Sequence, residues 1–146
     1  MLFRSANGVI RRAEQSFVRS RLGTLGLTPA DSFSLHTISV LGTCNQDALC
    51  VRLELDKGRV AKLLARLEAM GLVRRTVNAS NKREKLVALT DAGRAALRQV
   101  DAAFSEWEEI ELQSFTPDER RQYLAFLDRI AQNVARARRA GWPDAD

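Results

Sequence analysis

The chain has 146 residues, of which 45% are hydrophobic and 28% charged, and its formal net charge is +5. This composition is typical of a folded globular protomer, which excludes a disordered chain, and the length is sufficient to bury a core. No apolar run approaches the roughly 18 residues that span a bilayer, and the N-terminus lacks the pattern of a signal peptide, so we expect a cytoplasmic protein without a membrane partner.

Two helices are predicted in the first third of the chain. Apolar residues recur at steps of three and four through residues 3–21, from Phe3 to Phe17, which indicates one helical face. Gly23 and Gly26 interrupt this pattern. Thr28 and Pro29 then open a second, mostly buried helix over residues 31–41.

The centre of the chain predicts two more helices and a hairpin. Asn45 is a suitable N-cap for a helix with the sequence QDALCVRL, and Asp56 for a fourth helix over residues 57–70 that Gly71 ends. Residues 72–77 and 85–89 have strand character, and residues 78–81 form the turn between them.

The last third predicts two long helices. Thr90 caps a helix over residues 91–114, which is about 36 Å long at 1.5 Å per residue and therefore suggests a connecting strut. Thr116 and Pro117 begin a sixth helix over residues 117–138, and the tail GWPDAD is expected to fray. The predicted fold is mainly α, with six helices and a two-stranded β-wing.

Positive charge is concentrated in the central segment. Residues 44–94 carry eleven Lys and Arg against six acids, whereas residues 95–146 carry seven Arg against ten acids. A basic segment attracts phosphates, so the segment with the fourth helix and the hairpin is the candidate DNA reader.

The fourth helix combines a core face with a basic stripe. Val60, Leu63, Leu64 and Leu67 have the spacing of a buried face, and Arg59, Lys62 and Arg66 lie beside it. Small residues lie opposite the apolar face, namely Gly58, Ala61 and Ala65, and would let the helix axis enter a major groove. The alternative is an ordinary surface helix with solvated charges.

The hairpin is also basic. Arg74 and Arg75 precede its turn, and Lys82, Arg83 and Lys85 follow it. Arginine is suited to phosphates and to the narrow minor groove, because its planar fork carries a permanent charge. A plain solvated hairpin is the alternative to a DNA-contacting wing.

The stretch DKGRVAKLLARLEAMGLVRRTVNASNKREKLVALTDAGR resembles the core of the MarR family of bacterial transcription regulators. The matching motifs are Gly71-Leu72-Val73-Arg74-Arg75, the wing residue Arg83, and Leu86 to Gly93. The six-helix order fits the family along nearly the whole chain. The chain departs from the family pattern at Asn81, where the family has a wing acid, so an ion pair with Arg83 is replaced by at most a neutral hydrogen bond.

The resemblance implies a winged helix-turn-helix regulator that binds a pseudo-palindromic operator as a homodimer, most simply as a repressor. It implies a dimerisation helix in residues 1–28, a DNA-binding lobe in 29–92 and dimerisation helices in 93–146. The DNA-binding residues that we infer from the motif and the basic residues are Lys57, Arg59, Val60, Lys62, Arg66, Arg74, Lys82 and Arg83.

Family members often bind small phenolic or anionic effectors. Candidate lining residues here are Phe17, Phe33 and His36, although a single His on an apolar helix is more often a satisfied core or interface group. The sequence names neither the effector, nor the operator, nor the regulated genes.

The two cysteines leave a redox alternative open. Cys44 and Cys50 do not suggest a disulfide-rich domain, and two small, partly buried thiols are the simpler interpretation. Cys44 lies near a predicted helix N-terminus, where a thiolate would be favoured, so a cysteine-based sensor is an alternative.

An enzyme is the least favoured class. The chain has a single His, no Walker loop, no nucleophile elbow and no ligand-spaced metal cluster, so we expect no catalytic residue, metal or cofactor. A winged helix that binds a protein instead of DNA is the second alternative, but it would be expected to show apolar or acidic replacements on the fourth helix.

Overall fold

The computed structural model describes residues 2–141, with side chains from Ser5 onward. The side chain of Phe3 and the tail residues 142–146 lie outside this description. The described chain divides into two compact units, the first ending at Trp107 and the second beginning at Glu108. The predicted division at residues 28 and 92 stays a prediction.

Six α-helices and three short strands follow one another along the chain. They are α1 (Leu2–Leu22), α2 (Pro29–Leu41), β1 (Cys44–Asn45), α3 (Gln46–Leu53), α4 (Lys57–Ala69), β2 (Val73–Asn78), β3 (Asn81–Leu89), α5 (Asp91–Glu111) and α6 (Pro117–Ala140), with a 3₁₀ turn at Gly23–Leu25. The predicted mainly α fold with six helices and a wing is confirmed. The fifth helix ends three residues earlier than predicted.

The strands form one antiparallel sheet in the order β1-β3-β2. β2 and β3 are the predicted hairpin, but β3 begins at Asn81, four residues earlier than expected. The sequence pattern also missed β1, in which Cys44 pairs with Val87 and Asn45 with Leu86. Two residues are too few to show a strand periodicity.

Side-chain caps define where the helices begin. Asn45 accepts the backbone N–H of Ala48 at 2.8 Å, and Asp56 accepts that of Arg59 at 2.9 Å. Thr28 and Thr116 each form a capping box and are each followed by proline. These contacts satisfy backbone donors that a helix leaves unpaired, and they confirm the predicted starts of α3, α4 and α6.

The core of the first unit joins the helix-turn-helix to α1, α5 and the base of the wing. Its fully buried side chains include Leu35, Ile38, Leu49, Val60, Leu64, Leu67, Val87 and Val100. The buried face of α4 is therefore the predicted apolar face, except that Leu63 is only partly buried. Burial of this face fixes which side of α4 is turned outward.

A close backbone contact fixes the start of α5. A Cβ placed on Gly93 would lie 1.9 Å from the carbonyl oxygen of Leu72. The hydroxyl of Thr90 donates to the carbonyl of Gly71 at 2.6 Å and accepts the backbone N–H of Gly93 at 3.0 Å. The "LT-x-x-G" motif thus joins the end of the wing to the turn after α4, and only glycine fits at its last position.

The second unit contains the end of α5 and all of α6. No residue of α6 is buried, although it carries an apolar stripe of Leu124, Leu127, Ile130 and Val134. Ion pairs within the unit connect Arg120 to Glu109 at 2.8 Å. Among the described residues, no helix has the length and apolar character to cross a membrane.

Candidate nucleic-acid interface

The outward side of α4 is basic, and the side chains along the centre of this side are small. Lys57, Arg59 and Lys62 are exposed, and Gly58 and Ala65 lie exposed between them. Small residues allow close approach of the helix to another surface, and the flanking cations extend beyond them. The arrangement has the shape and charge of a helix that enters a major groove.

Two of these cations form ion pairs at the solvent-exposed start of α4. The Nζ of Lys57 lies 3.0 Å from Oδ1 of Asp47, and the Nε of Arg59 lies 3.2 Å from Oδ2 of Asp56. The hydrogen bond from Lys57 to Asp47 raises the lysine pKa, so the lysine stays charged. Exposed pairs of this kind contribute little to stability, so phosphates can displace the acids at low cost.

Two residues predicted to contact DNA instead make contacts within the protomer. Val60 is 0% exposed and belongs to the core, so its side chain cannot reach a base and the groove contact inferred for it is not supported. The Nε of Arg66 donates to Oδ2 of Asp31 at 3.0 Å, and its Nη2 donates to the carbonyl of Gly26 at 2.8 Å. Arg66 therefore links α4 to the start of α2.

The cationic side chains at the tip of the wing lie in solvent. Lys82 and Arg83 are exposed, and within the described chain their side chains form no hydrogen bond or ion pair. The Oδ1 of Asn81 accepts the backbone N–H of Arg83 at 3.2 Å. This is the neutral hydrogen bond expected where the family has a wing acid, and it leaves the guanidinium of Arg83 unpaired.

The two arginines of β2 point to different surroundings. Arg75 donates from Nε to Glu68 of α4 at 2.9 Å, which couples the wing base to α4. Hydrogen bonding by Arg75 lowers the pKa of Glu68, with its positive charge as a further cause. Arg74 is exposed and lies opposite Ala88 at the wing base, and its predicted contact with DNA stays a prediction.

Arg74 lines a cavity of about 460 Å³ at the base of the wing. Two arginines of α5, Arg94 and Arg98, line the same space, and apolar walls come from Ile38, Ala88, Leu89 and Leu97. Arg94 donates to the carbonyl of Leu89 and to Asp91. Within the described residues, the side chains of Arg74 and Arg98 have no such partner. Sequence reasoning missed this site because its residues come from four separate elements.

The three predicted effector residues do not line that cavity. Phe17 packs against Trp107, with ring centroids 5.6 Å apart, and Arg21 lies over the Phe17 ring. His36 has its Nδ1 3.0 Å from Oδ1 of Asp101 and an edge contact with Phe104.

Phe33 is 55% exposed on α2. These aromatic residues therefore lie along α1 and α2, and two of them contact different parts of α5. A shared ligand contact for Phe17, Phe33 and His36 stays a prediction.

The surroundings of Cys44 oppose a reactive thiolate. Cys44 lies in β1 and not in a helix, and its burial raises the pKa of the thiol. Cys44 directly precedes Asn45, the N-cap of α3, so the predicted position near a helix N-terminus is confirmed, but burial disfavours the thiolate there. Within the described residues, no group of three His, Cys, Asp or Glu is placed to hold a metal ion.

Sequence comparison identifies the same central segment. A model of the MarR family matches residues 25–84. The HTH-type transcriptional regulator BilQ of Clostridium symbiosum is 23% identical over 116 residues, which cover 80% of this chain and 81% of that protein. The uncharacterized HTH-type transcriptional regulator YybA of Bacillus subtilis is 25% identical over 129 residues, with coverages of 88% and 86%.

Structural comparison extends the similarity to the flanking helices. A crystal structure of MarR superposes with a TM-score of 0.81 and 28% identity and covers 94% of both chains. A mutant MarR from E. coli complexed with operator DNA superposes with a TM-score of 0.77 and 23% identity, covering 89% of this chain and 94% of that one. With the match over the reading helix and wing and the superposition over nearly its whole length, the protein is similar in sequence and fold to the MarR family of transcriptional regulators.

Proposed function

We propose that the protein binds an operator in double-stranded DNA as a homodimer and represses transcription by covering a promoter. The observation that carries this proposal is the outward face of α4, where Lys57, Arg59 and Lys62 surround the small residues Gly58 and Ala65. A protein of similar fold, the mutant MarR from E. coli, is complexed with operator DNA, which supports DNA as the partner. Because DNA is the partner, we expect the protein to act in the cytoplasm.

In this proposal α4 lies in the major groove and the wing lies on the flanking backbone. Lys57, Arg59 and Lys62 contact base edges or phosphates, and Lys82 and Arg83 contact the minor groove or its phosphates. Arg66 reaches the DNA only if it leaves Asp31, so we assign it first to positioning α4. Arg74 belongs with the cavity at the wing base.

Dimerisation is supported by the apolar stripe of α6. A 24-residue helix without a buried residue leaves its apolar side chains in water, and an unburied stripe of this kind marks a protein interface. α1 and α5 supply the remaining dimer contacts in the family pattern. Two copies of α4 related by a two-fold axis would read half-sites about 34–36 Å apart.

Selection of bound duplexes from random DNA tests this function. We expect a pseudo-palindrome, with log K falling linearly against log salt. Arg83→Ala should weaken binding and lower the salt slope by about one if Arg83 contacts a phosphate. Arg129 lies on the side of α6 opposite its apolar stripe. Arg129→Ala is therefore the matched control and should change neither the affinity for DNA nor the salt slope. Failure to bind any duplex, with retained binding of a protein partner, would favour the interaction module.

We also propose that a small anionic effector modulates DNA binding. The cavity at the wing base supports this, since Arg74 and Arg98 line the same space as the apolar Ile38 and Leu97. Arginine pairs bidentately with carboxylates. Phe17, Phe33 and His36 form the second candidate region.

Benzoate is a suitable probe, with the uncharged benzamide as its control. Calorimetric titration should detect benzoate alone, and Arg98→Ala should abolish its binding. Benzoate binding that Arg98→Ala leaves intact but Phe33→Ala removes would move the site to the aromatic residues.

A further inference from the structure

Glu84 bridges the wing to the start of α3. Its Oε1 accepts the side-chain Nδ2 of Asn45 at 2.5 Å, and its Oε2 accepts the side-chain Nδ2 of Asn78 at 2.5 Å. Asn45 is the N-cap of α3, and Asn78 is the last residue of β2, where the hairpin register shifts. One carboxylate thus connects the two ends of the wing turn to a helix of the DNA-binding lobe.

Both amides are oriented so that only an acceptor fits between them. The Oδ1 of Asn45 accepts the backbone N–H of Ala48, and the Oδ1 of Asn78 accepts that of Ser80. Each amide therefore presents its NH₂ group to position 84. A carboxylate accepts at both oxygens, whereas a glutamine amide would present a donor to one of the two NH₂ groups.

Beyond the pairing of β1 with β3, which ends at Asn45 and Leu86, the contact between the wing and α3 is polar. A cleft of about 390 Å³ separates the start of α3 from the wing, and its lining residues are all polar or charged. Apolar packing between α3 and the wing tip therefore contributes nothing across this cleft. The hydrogen bond from Asn45 to Glu84 spans it, and the hydrogen bond from Asn78 holds Glu84 within the wing.

The connection continues to the reading helix. The Nε2 of Gln46, the residue after Asn45, donates to the carbonyl of Lys57 at 3.2 Å. The Nζ of Lys57 pairs with Asp47 at 3.0 Å. A continuous set of contacts thus runs from the wing through the start of α3 to the first residue of α4.

We propose that Glu84 is a positioning residue for DNA recognition, which holds the wing at a fixed distance and angle from α4. Successive side chains of a strand point to opposite faces; Glu84 is half-buried toward α3, while Arg83 is exposed. Arg83 lines the same cleft beside Glu84, so anchoring Glu84 fixes the strand from which the exposed Arg83 side chain extends. This role compensates for Asn81, which cannot form the ion pair of the family's wing acid. It rests on the proposed contact of the wing with DNA.

Because Glu84 is charged, the direction in which its replacement changes the affinity for DNA tests the proposal. If Glu84 were only an acid near the phosphates, Glu84→Gln would remove repulsion and tighten binding, and Glu84→Asp would change little. If Glu84 is a positioning residue, neither Gln nor Asp can replace it. Gln cannot accept from both amides, and Asp is shorter by one methylene, about 1.5 Å, so it cannot reach both.

The experiment measures the Kd of the selected operator duplex for the full-length wild type, Glu84→Gln and Glu84→Asp, together with amide hydrogen exchange of the DNA-free proteins. We expect both variants to raise Kd at least about fivefold. We also expect amides of residues 79–84 to exchange about tenfold faster, with unchanged exchange in α5. Asn78→Ala, combined with Glu84→Asp, should add little to either single effect.

Tighter or unchanged DNA binding by Glu84→Gln overturns the proposal. It is also overturned if the wing amides of either variant exchange faster while the affinity for DNA is kept. The same holds if the affinity falls while amide exchange in the wing stays unchanged. The variant Arg83→Ala distinguishes a failure of the positioning role from a failure of the proposed DNA-binding function. If Arg83→Ala does not weaken binding, the wing does not contact DNA, whereas the exchange measurement still tests the bridge itself. A lowered thermal midpoint with faster exchange in α5 would assign Glu84 to global stability and would also overturn the positioning role.

Discussion

The Nε of Arg66 on α4 donates to the carboxylate of Asp31 on α2 at 3.0 Å, and the Asp31 side chain is only 3% exposed. Asp31 also accepts the backbone N–H of Thr28 as part of the capping box of α2. One carboxylate therefore fixes both the start of α2 and the rotation of α4 about its axis. The direction in which the outward face of α4 points therefore depends on this contact.

Arg66→Ala should destabilise the protein by about 2 kcal/mol, because it leaves a buried carboxylate without its cation. Urea unfolding measures the difference. Arg59→Ala removes an exposed pair with Asp56 and should cost less than about 0.5 kcal/mol, so it serves as the control. Equal stability of the two variants, with a lower salt slope of DNA binding for Arg66→Ala, would return Arg66 to the DNA interface.

Local signals predicted most of the fold. The caps at Asn45, Asp56 and Thr116 and the glycine after α4 act through neighbours within a few residues, so their spacing in the sequence is sufficient evidence. The same holds for the exposed basic residues of α4, whose face is set by helical periodicity.

Long-range contacts could not be predicted in this way. Arg66 and Asp31 are separated by 35 residues, and Asn45 and Glu84 by 39. Each is an ordinary charged or polar residue in its own segment, and only the packing of α2, α3 and the wing brings them together. The helical pattern of α4 likewise could not show that Arg66 would turn toward Asp31.

Gly93→Ala should destabilise the protein by about 3 kcal/mol, because the added methyl would overlap the carbonyl oxygen of Leu72 and displace α5 from the wing. Gly23→Ala is the matched control, since nothing lies within 4 Å of its Cβ position. Urea unfolding of both variants measures the contrast. A Gly93→Ala protein as stable as Gly23→Ala would contradict the close contact of Gly93 with Leu72.

The Glu68–Arg75 pair should make stability depend on pH. Hydrogen bonding by Arg75 lowers the pKa of Glu68 below its ordinary 4.5. A lowered folded-state pKa stabilises the protein above the unfolded-state pKa, and this contribution is lost as the pH falls through the folded-state value. We therefore expect the stability difference between wild type and Glu68→Gln to be constant near neutral pH and to shrink below about pH 4.5.

Chemical denaturation at several pH values measures this difference, and NMR titration of the Glu68 carboxyl measures the pKa directly. Arg75→Gln is the matched variant and should return the pKa of Glu68 toward its ordinary value. A stability difference that is the same at pH 3 and pH 7 would show that the pair does not contribute through its charge.

The apolar stripe of α6 should control the oligomeric state. Leu127 and Ile130 lie near the centre of the stripe and are exposed in the protomer. Leu127→Glu places a charge within the proposed dimer interface, where it would lack a partner, so we expect a monomer at micromolar concentration. Since one protomer presents only one α4, operator affinity should fall by at least about a hundredfold.

Gln122→Glu adds the same charge on the opposite side of α6 and should leave the dimer and its operator affinity unchanged. Sedimentation equilibrium measures the mass, and circular dichroism checks that both variants keep their helices. A Leu127→Glu protein that stays dimeric would remove α6 from the dimer interface, leaving α1 and α5 to form it. A monomer that binds the full operator with wild-type affinity would instead show that DNA recognition does not require two reading helices.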